Sequence, residues 1–349
     1  MQDLETKAVL KACIQARAAL AELKALGSLI PNQSILINSI PSLEAQASSE
    51  IENIVTTGDD LFRFAAAKTD VGMDPAVKET LRYRAALWEG YTSLAQRPLG
   101  LRTAIEVCSR VKGIDMNFRQ TPGTTLVNDR TGAVIYTPPV QALALKQLLS
   151  NWEHWLHDSK GVDPLIAMAV QHYQFEAIHP FTDGNGRTGR VLNLLYLVHA
   201  GLLDVPVLYL SGAIIRRKAD YYRLILEVTA NAGWEAWIPF MLEAITRTAK
   251  WTAGRILAIK ELLDATVEQM RLEAPRIYSR ELAELVFAQP YSRIGNLVDA
   301  GIAQRQTAAT HLKVLTSLGL LKEHRAGREV IAVNPALVKL LSAVEGLEA

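Results

Sequence analysis

The sequence predicts a mainly α-helical chain with one small β-hairpin near its middle and a winged helix-turn-helix at its C-terminal end. Three observations predict it. Apolar residues recur at helical spacing through most of residues 4–270. Within that stretch only 124–137 switches to short β-prone runs around turn residues. Beyond Glu273-Ala274-Pro275, three short helical segments precede a second hairpin pattern.

The first helix is expected over 4–25, where Leu, Ala and Ile keep helical spacing. A second is expected over about 42–56, starting near Ser42 just after Pro41. A long amphipathic helix follows Pro75, carries Leu81, Ala85, Leu87, Tyr91 and Leu94, and stops before Pro98; another covers 101–112. Thr124–Asn128 and Ala133–Thr137 then flank Asp129-Arg130-Thr131-Gly132, which is turn chemistry, and Pro138-Pro139 closes the hairpin. Helices resume over 139–157, 162–178, 186–201, 221–230 and 234–270. In the last segment, 279–288, 292–300 and 304–318 read as helices, and 320–324 and 329–333 as strands around Arg325-Ala326-Gly327-Arg328. The expected domains are a helical N-terminal region over 1–100, a core over 101–272 and a C-terminal module over 276–349.

Composition limits the function classes. The 349 residues suit two or three domains, at about 150 residues each. A formal net charge of +1 announces neither a nucleic-acid nor a membrane partner. Cys13 and Cys108 match no metal or disulfide spacing and are expected to be buried apolar residues in a reducing cytoplasm. The N-terminus lacks the basic start and apolar run of a signal peptide. The most apolar region, Val191–Ile215, is broken by His199, Asp204 and Pro206, whereas a membrane span wants about 20 residues largely free of charge. A buried helix with its exit loop is expected there, in a cytoplasmic chain with no membrane segment.

The chemistry concentrates in residues 179–190, His-Pro-Phe-Thr-Asp-Gly-Asn-Gly-Arg-Thr-Gly-Arg. Gly184, Asn185 and Gly186 let successive backbone N–H groups face one concavity, a nest for anionic oxygens. The helix that follows adds its unpaired amides and the positive end of its dipole. Arg187 and Arg190, three residues apart, lie near one face and reach phosphates held there. Asp183 offers the hard oxygen ligand that Mg²⁺ prefers when it already carries phosphates. His179, ending the preceding helix, is placed to take a proton from an incoming hydroxyl. These parts add up to phosphoryl or nucleotidyl transfer.

This stretch resembles the complete signature of Fic-domain proteins, with no departure at a functional position. The resemblance covers roughly residues 40–250. It implies a helical Fic domain that moves AMP from ATP to a Ser, Thr or Tyr hydroxyl of a protein, itself included, and releases pyrophosphate. By the same resemblance His179 is the general base and Asp183 holds Mg²⁺. The Gly184–Arg187 backbone with the Asn185 side chain would hold the α- and β-phosphates, with Arg190 at the γ-phosphate. Phe181 anchors the loop inward. The 124–137 hairpin resembles the family's flap, which holds a protein substrate by strand addition, a mode in which main-chain pairing positions a peptide with little sequence readout. Tyr221-Tyr222 resembles the family's pair beside the adenine, although two core aromatics at a helix start fit as well. Asn231 falls near where an Asn can contact the base.

Ser48-Ser49-Glu50-Ile51-Glu52-Asn53 matches the family's inhibitory pattern of Ser or Thr, three residues, Glu, then Gly or Asn. Its place ahead of the motif resembles the class whose inhibitory helix is N-terminal. A Glu52 carboxylate paired with Arg190 would take the γ-phosphate's partner, add negative charge where that phosphate belongs and leave ATP misaligned for attack. Some relatives also remove AMP with the same Glu.

In the C-terminal module, the 304–318 helix carries Arg305, Gln306, Thr307, Thr310, His311 and Lys313, and the wing offers Lys322, Arg325 and Arg328. A winged helix places its third helix in the major groove. Glu323 and Glu329 dilute that charge, so docking or dimerisation is favoured over DNA binding. Two other readings stay open: transfer of a different phosphate-containing group such as UMP or phosphocholine, and a DNA-binding regulator whose Fic domain senses nucleotide. Gly186 argues against variant loops with Lys there, associated with transfer of a phosphate alone. Intact His179 and Asp183 argue against a pure sensor.

Overall fold

The computed structural model describes residues 4–65, 72–121, 125–127, 134–139, 141–159, 161–326 and 329–343. In α1 (Lys7–Gly27), Val9, Cys13, Ala16, Leu20, Leu23 and Gly27 recur every three or four residues and are all buried. The Thr6 side chain caps this helix by accepting the Val9 N–H. This helix packs along the 40-residue α11 (Trp234–Glu273).

Helix α2 (Ser34–Ile51) differs from the expected 42–56 at both ends, and Pro41 lies inside it. A proline should end a helix, because it removes one hydrogen bond and crowds the preceding turn. Here burial outweighs that cost: Ile35, Leu36, Ile40 and Leu43 are buried on both sides of the proline. The Ser42 hydroxyl donates to the Asn38 carbonyl at 2.8 Å, and Ser39 donates likewise to Ile35. The short α3 (Gly58–Ala65) carries two apolar residues on its buried side, Leu61 and Phe62, too few for a periodic signal. Helices α4 (Pro75–Ser93) and α5 (Leu101–Lys112) fall where expected, the first with Asp74 as its cap and Pro75 at its start, the second ended by Gly113 at φ 70°.

Strands β1 (Leu126–Val127) and β2 (Val134–Tyr136) pair antiparallel with a register shift between Leu126 and Val127. The expected turn at 129–132 lies outside the described residues. Then come α6 (Ala142–Asp158), α7 (Pro164–Ile178) and α8 (Asn185–His199). The last two are buried on nearly every face, α7 along a largely apolar sequence and α8 along its apolar second half. Between them, Gln171 Nε2 donates to Asn193 Oδ1 at 2.6 Å. The loop expected after residue 201 contains a further helix, α9 (Leu210–Arg216), followed by α10 (Lys218–Asn231) and the 40-residue α11 (Trp234–Glu273).

Helix α11 ends at the Glu273-Ala274-Pro275 break. Beyond it, α12 (Arg280–Ala288), β3 (Tyr291–Ser292), α13 (Ile294–Asp299), α14 (Arg305–Ser317), β4 (Lys322–Ala326), β5 (Glu329–Val333) and α15 (Pro335–Ser342) complete the chain. The three helices and the hairpin stand in the expected order; β3 and α15 are additions, and the sheet runs β3-β5-β4. Residues 327–328 of the second turn lie outside the described residues. This segment packs on α2 and α3. Asn38 Nδ2 donates to the Ala288 carbonyl at 3.0 Å, Arg293 Nη2 to the Arg63 carbonyl at 2.7 Å, and the Tyr291 hydroxyl meets Asp59. Cys13 and Cys108 are free and buried. Among the described residues no helix is long and apolar enough to cross a membrane.

Candidate active site

The motif occupies the bend between α7 and α8. His179 ends α7 in the left-handed region at φ 49° and ψ 60°, with its N–H on the Phe175 carbonyl at 3.0 Å. A residue with a Cβ pays roughly 1 kcal/mol or more for that conformation, and such outliers persist where the surroundings over-determine them. Those surroundings are visible. Arg119, 4% exposed, donates from Nε to the His179 carbonyl at 2.9 Å, and its backbone N–H reaches the Pro180 carbonyl at 2.9 Å. Its Nη2 also holds the Ile178 and Pro139 carbonyls, tying the loop to the base of the hairpin. Tyr136 of β2 donates to the Ala177 carbonyl at 2.7 Å, a second anchor. Burial pulls the His179 pKa below its ordinary 6.5, opposed by the backbone carbonyl of Glu176. The ring is therefore neutral at neutral pH, the form that accepts a proton.

Gly184 caps α8 at φ 81°. The first-turn N–H groups of Asn185, Gly186 and Arg187 have no intrahelical acceptor, so the helix start is an anion nest. The expected phosphate contact from the Asn185 side chain needs correction. That side chain is 2% exposed and committed to the loop: Oδ1 accepts from the Phe181 N–H at 2.8 Å and Nδ2 donates to the Phe181 carbonyl at 2.9 Å. Two buried main-chain groups needed partners and Asn185 supplies both, leaving its backbone N–H for a ligand. Phe181 packs inward against Phe118 and Phe175, as expected.

Each charged group of the motif is already paired. Arg190, 1% exposed, donates from Nη2 to Glu52 Oε1 at 2.8 Å and to the Ser48 carbonyl at 2.9 Å, and from Nε to Ser48 Oγ at 2.8 Å. The C-terminal end of α2 thus brings Ser48 and Glu52 together onto α8. Asn53, at φ 63°, turns the chain away immediately afterwards, which explains why an Asn or Gly suits that position. A Cβ added to Gly186 would stand 2.3 Å from Glu52 Oε1 and 3.0 Å from Arg190 Nη1. The carboxylate therefore lies directly over the nest.

Arg187 pairs with Glu79 of α4 at 2.5 Å, and Asp183 pairs with Lys112 of α5. Burial would raise the Asp183 carboxyl, but Lys112, the Gly184 N–H and Arg187 together hold it below the usual carboxylate range. Its side chain remains 62% exposed. One exposed hard oxygen donor beside a phosphate nest fits Mg²⁺ arriving with phosphates and water; among the described residues there is no three-residue cluster for an all-protein cage.

Tyr221 also departs from expectation. It is 1% exposed, bonds through its hydroxyl to His172 Nε2 at 2.7 Å and packs on Trp237. Neighbouring helix residues point about 100° apart; Tyr222, 39% exposed, is the accessible one of the pair, and both lie near Arg190. Asn231 is exposed and bonded to Glu227. Sequence reading missed Glu79, Lys112, Arg119 and Glu176. The first three are far from the motif in sequence and give no local signal. Glu176, three residues before His179 on the same helix, could have been noticed; burial pushes its carboxyl up to about 7, beside Arg190.

Comparison with known proteins finds Fic-related domains along the chain. Residues 10–92 match the Fic/DOC family N-terminal model, residues 106–197 the Fic/DOC family model, and residues 262–337 the C-terminal domain of protein adenylyltransferase SoFic-like proteins. A protein adenylyltransferase Fic of Drosophila grimshawi is 44% identical over 106 residues, 30% of this chain and 20% of that protein. A probable protein adenylyltransferase of Aquifex aeolicus is 40% identical over 74 residues, 21% of this chain and 22% of that protein. The chain thus spans about a fifth of the length of these curated relatives. In fold, it is similar to a Fic family protein of Desulfovibrio desulfuricans, with a TM-score of 0.58 at 20% identity over 94% of this chain and 96% of the other. The Fic-1 structure from C. elegans gives a TM-score of 0.53 at 18% identity over 72% of this chain and 74% of the other. With its N-terminal and central regions both matched and its motif built around a nest at a helix start, the chain carries a Fic/DOC family N-terminal domain over 10–92 and a Fic/DOC family domain over 106–197.

Proposed function

We propose that the protein transfers AMP from ATP to Ser, Thr or Tyr hydroxyls of proteins, its own included, and is restrained by its own Glu52. The observation that carries this reading is the carboxylate of Glu52 lying over Gly186 while paired with Arg190. An anion there marks the place as one that attracts anions, and a triphosphate would compete for it.

In the transfer, the neutral His179 ring takes the proton of the attacking hydroxyl as its oxygen bonds to the α-phosphorus. The bond to the β-phosphate oxygen breaks and pyrophosphate leaves. The amides of Asn185, Gly186 and Arg187 hold phosphate oxygens in place, and Arg187 and Arg190 offset the negative charge. Mg²⁺, held by Asp183, would supply further charge neutralisation. The β1–β2 hairpin, anchored through Arg119 and Tyr136 next to His179, would hold the target segment by strand pairing. Helix α2 delivers Ser48 and Glu52 as the brake; the same Glu52 could serve AMP removal. The C-terminal module is read as a winged helix-turn-helix for docking or dimerisation, within domains divided at 100/101 and 272–276.

The test is mass spectrometry of the Glu52→Gly protein incubated with ATP and Mg²⁺. A mass gain matching AMP is expected on the protein itself, at least tenfold above wild type, and none with His179→Ala added. Equal labelling of wild type and Glu52→Gly would overturn the brake, and a different added mass would overturn AMP as the group.

A further inference from the structure

Lys112 stands in an unusual place. It is the last residue of α5, and its stem crosses the face of Gly184, the residue capping α8: a Cβ on Gly184 would meet Lys112 Cδ at 3.2 Å and Cγ at 3.4 Å. The side chain is only 20% exposed. Its ammonium pairs with Asp183 and lies 3.6 Å from Glu79 Oε1, the oxygen that also receives Arg187. Four charges from three separate helices and a loop thus alternate in sign along one edge of the nest.

We propose that Lys112 is the built-in counter-ion of Asp183, keeping the nest attractive to a triphosphate when no metal is bound. Without metal, the ammonium neutralises the one carboxylate that would repel an incoming triphosphate. When Mg²⁺ is bound at Asp183, the metal would supply that neutralisation in place of Lys112. Glu79 is a positioning residue in this scheme, keeping Arg187 and Lys112 on the same side. Electrostatics supports the assignment: a bare Asp183 next to the nest would be a like charge within a few ångströms of the ligand. Lys112 is also the one cation of the group whose three rotatable N–H donors can swing between partners, whereas a guanidinium would be fixed in its fork.

The inference rests on the ATP-binding reading above, and a calorimetric test separates the two. ATP is titrated into full-length Glu52→Gly protein, once with Mg²⁺ and once with EDTA, and the same is done after adding Lys112→Met or Lys112→Arg. Lys112→Met is expected to weaken metal-free ATP binding roughly tenfold and Mg²⁺-ATP binding by threefold or less, so the gain from metal grows. Lys112→Arg, which keeps the charge, should restore most of the metal-free affinity. Equal losses in both media would overturn the counter-ion role, because a purely structural lesion has no reason to depend on metal. Metal-free binding unchanged by Lys112→Met would overturn the assignment altogether while leaving the nest reading intact. No ATP binding by the Glu52→Gly parent in either medium would remove both.

Discussion

The imidazole of His179 is held by geometry before any substrate arrives. Its left-handed backbone, the Arg119 bonds around it and its burial make it a neutral ring in a fixed place. In the Glu52→Gly protein, kcat/KM against pH should therefore lose its acid limb with an apparent pKa below 6.5, since that profile reports the free enzyme's base. A midpoint at 7 or above would contradict the assignment. Asn185 gives a second prediction at this scale. Asn185→Ala strands the Phe181 N–H and carbonyl in a buried site, so stability should fall by about 2 kcal/mol or more, measured by urea unfolding; an unchanged midpoint would contradict the staple. Most of this site was legible in twelve consecutive letters, because local geometry alone decides what a glycine-lined helix start can do. Asn185 and Tyr221 were not legible. Both are polar side chains whose partners, the Phe181 backbone and His172, are fixed only by the fold.

At the scale of elements, α2 is where sequence and structure differ most usefully. Pro41 reads as a helix start, yet apolar residues on both of its sides bury the helix from Ser34 onward. The inhibitory pattern was placed inside a helix reaching 56; it lies instead at a C-terminal end, with Glu52 as the cap and Asn53 turning the chain. That ending makes a distinct prediction. Asn53→Ala puts a Cβ without compensating hydrogen bonds at φ 63°, costing roughly 1 kcal/mol, and should loosen Glu52 from Arg190 and raise self-labelling several-fold. Asn53→Gly should stay near wild type, losing only the exposed contact with Lys218. Equal labelling by both variants would contradict a conformational role. The helices following Pro75 and spanning 101–112 were legible because caps, proline and glycine mark their ends. The short α3 and α9 were not, having too few turns to show a period.

For the whole molecule, burial of ionisable groups sets the response to pH. Glu44 of α2 is fully enclosed, its oxygens accepting from the Ser211 N–H and hydroxyl and from Tyr83, and burial pushes its carboxyl up to about 7. A raised acid keeps its proton in the folded state, so its contribution is complete below about 4.5 and is lost as pH rises through 7. His172 has the opposite sign: burial pushes it down to about 3, so stability falls as pH drops from 6.5 toward 3. Glu44→Gln should gain stability relative to wild type by about 3 kcal/mol between pH 5 and pH 8, and a pH-independent difference would contradict the burial argument. The grip of the C-terminal segment on α2 and α3, through Asn38, Asp59 and Arg63, was invisible in the sequence because its partners are more than two hundred residues apart.

The most direct measurement is a crystal structure of the Glu52→Gly protein with Mg²⁺ and a non-hydrolysable ATP analogue. The expected density places phosphate oxygens on the amides of Asn185, Gly186 and Arg187, the metal on Asp183 and the terminal phosphate on Arg190, with the His179 ring facing the α-phosphorus. A nucleotide bound elsewhere, with the nest above Gly186 holding only solvent, would contradict the account.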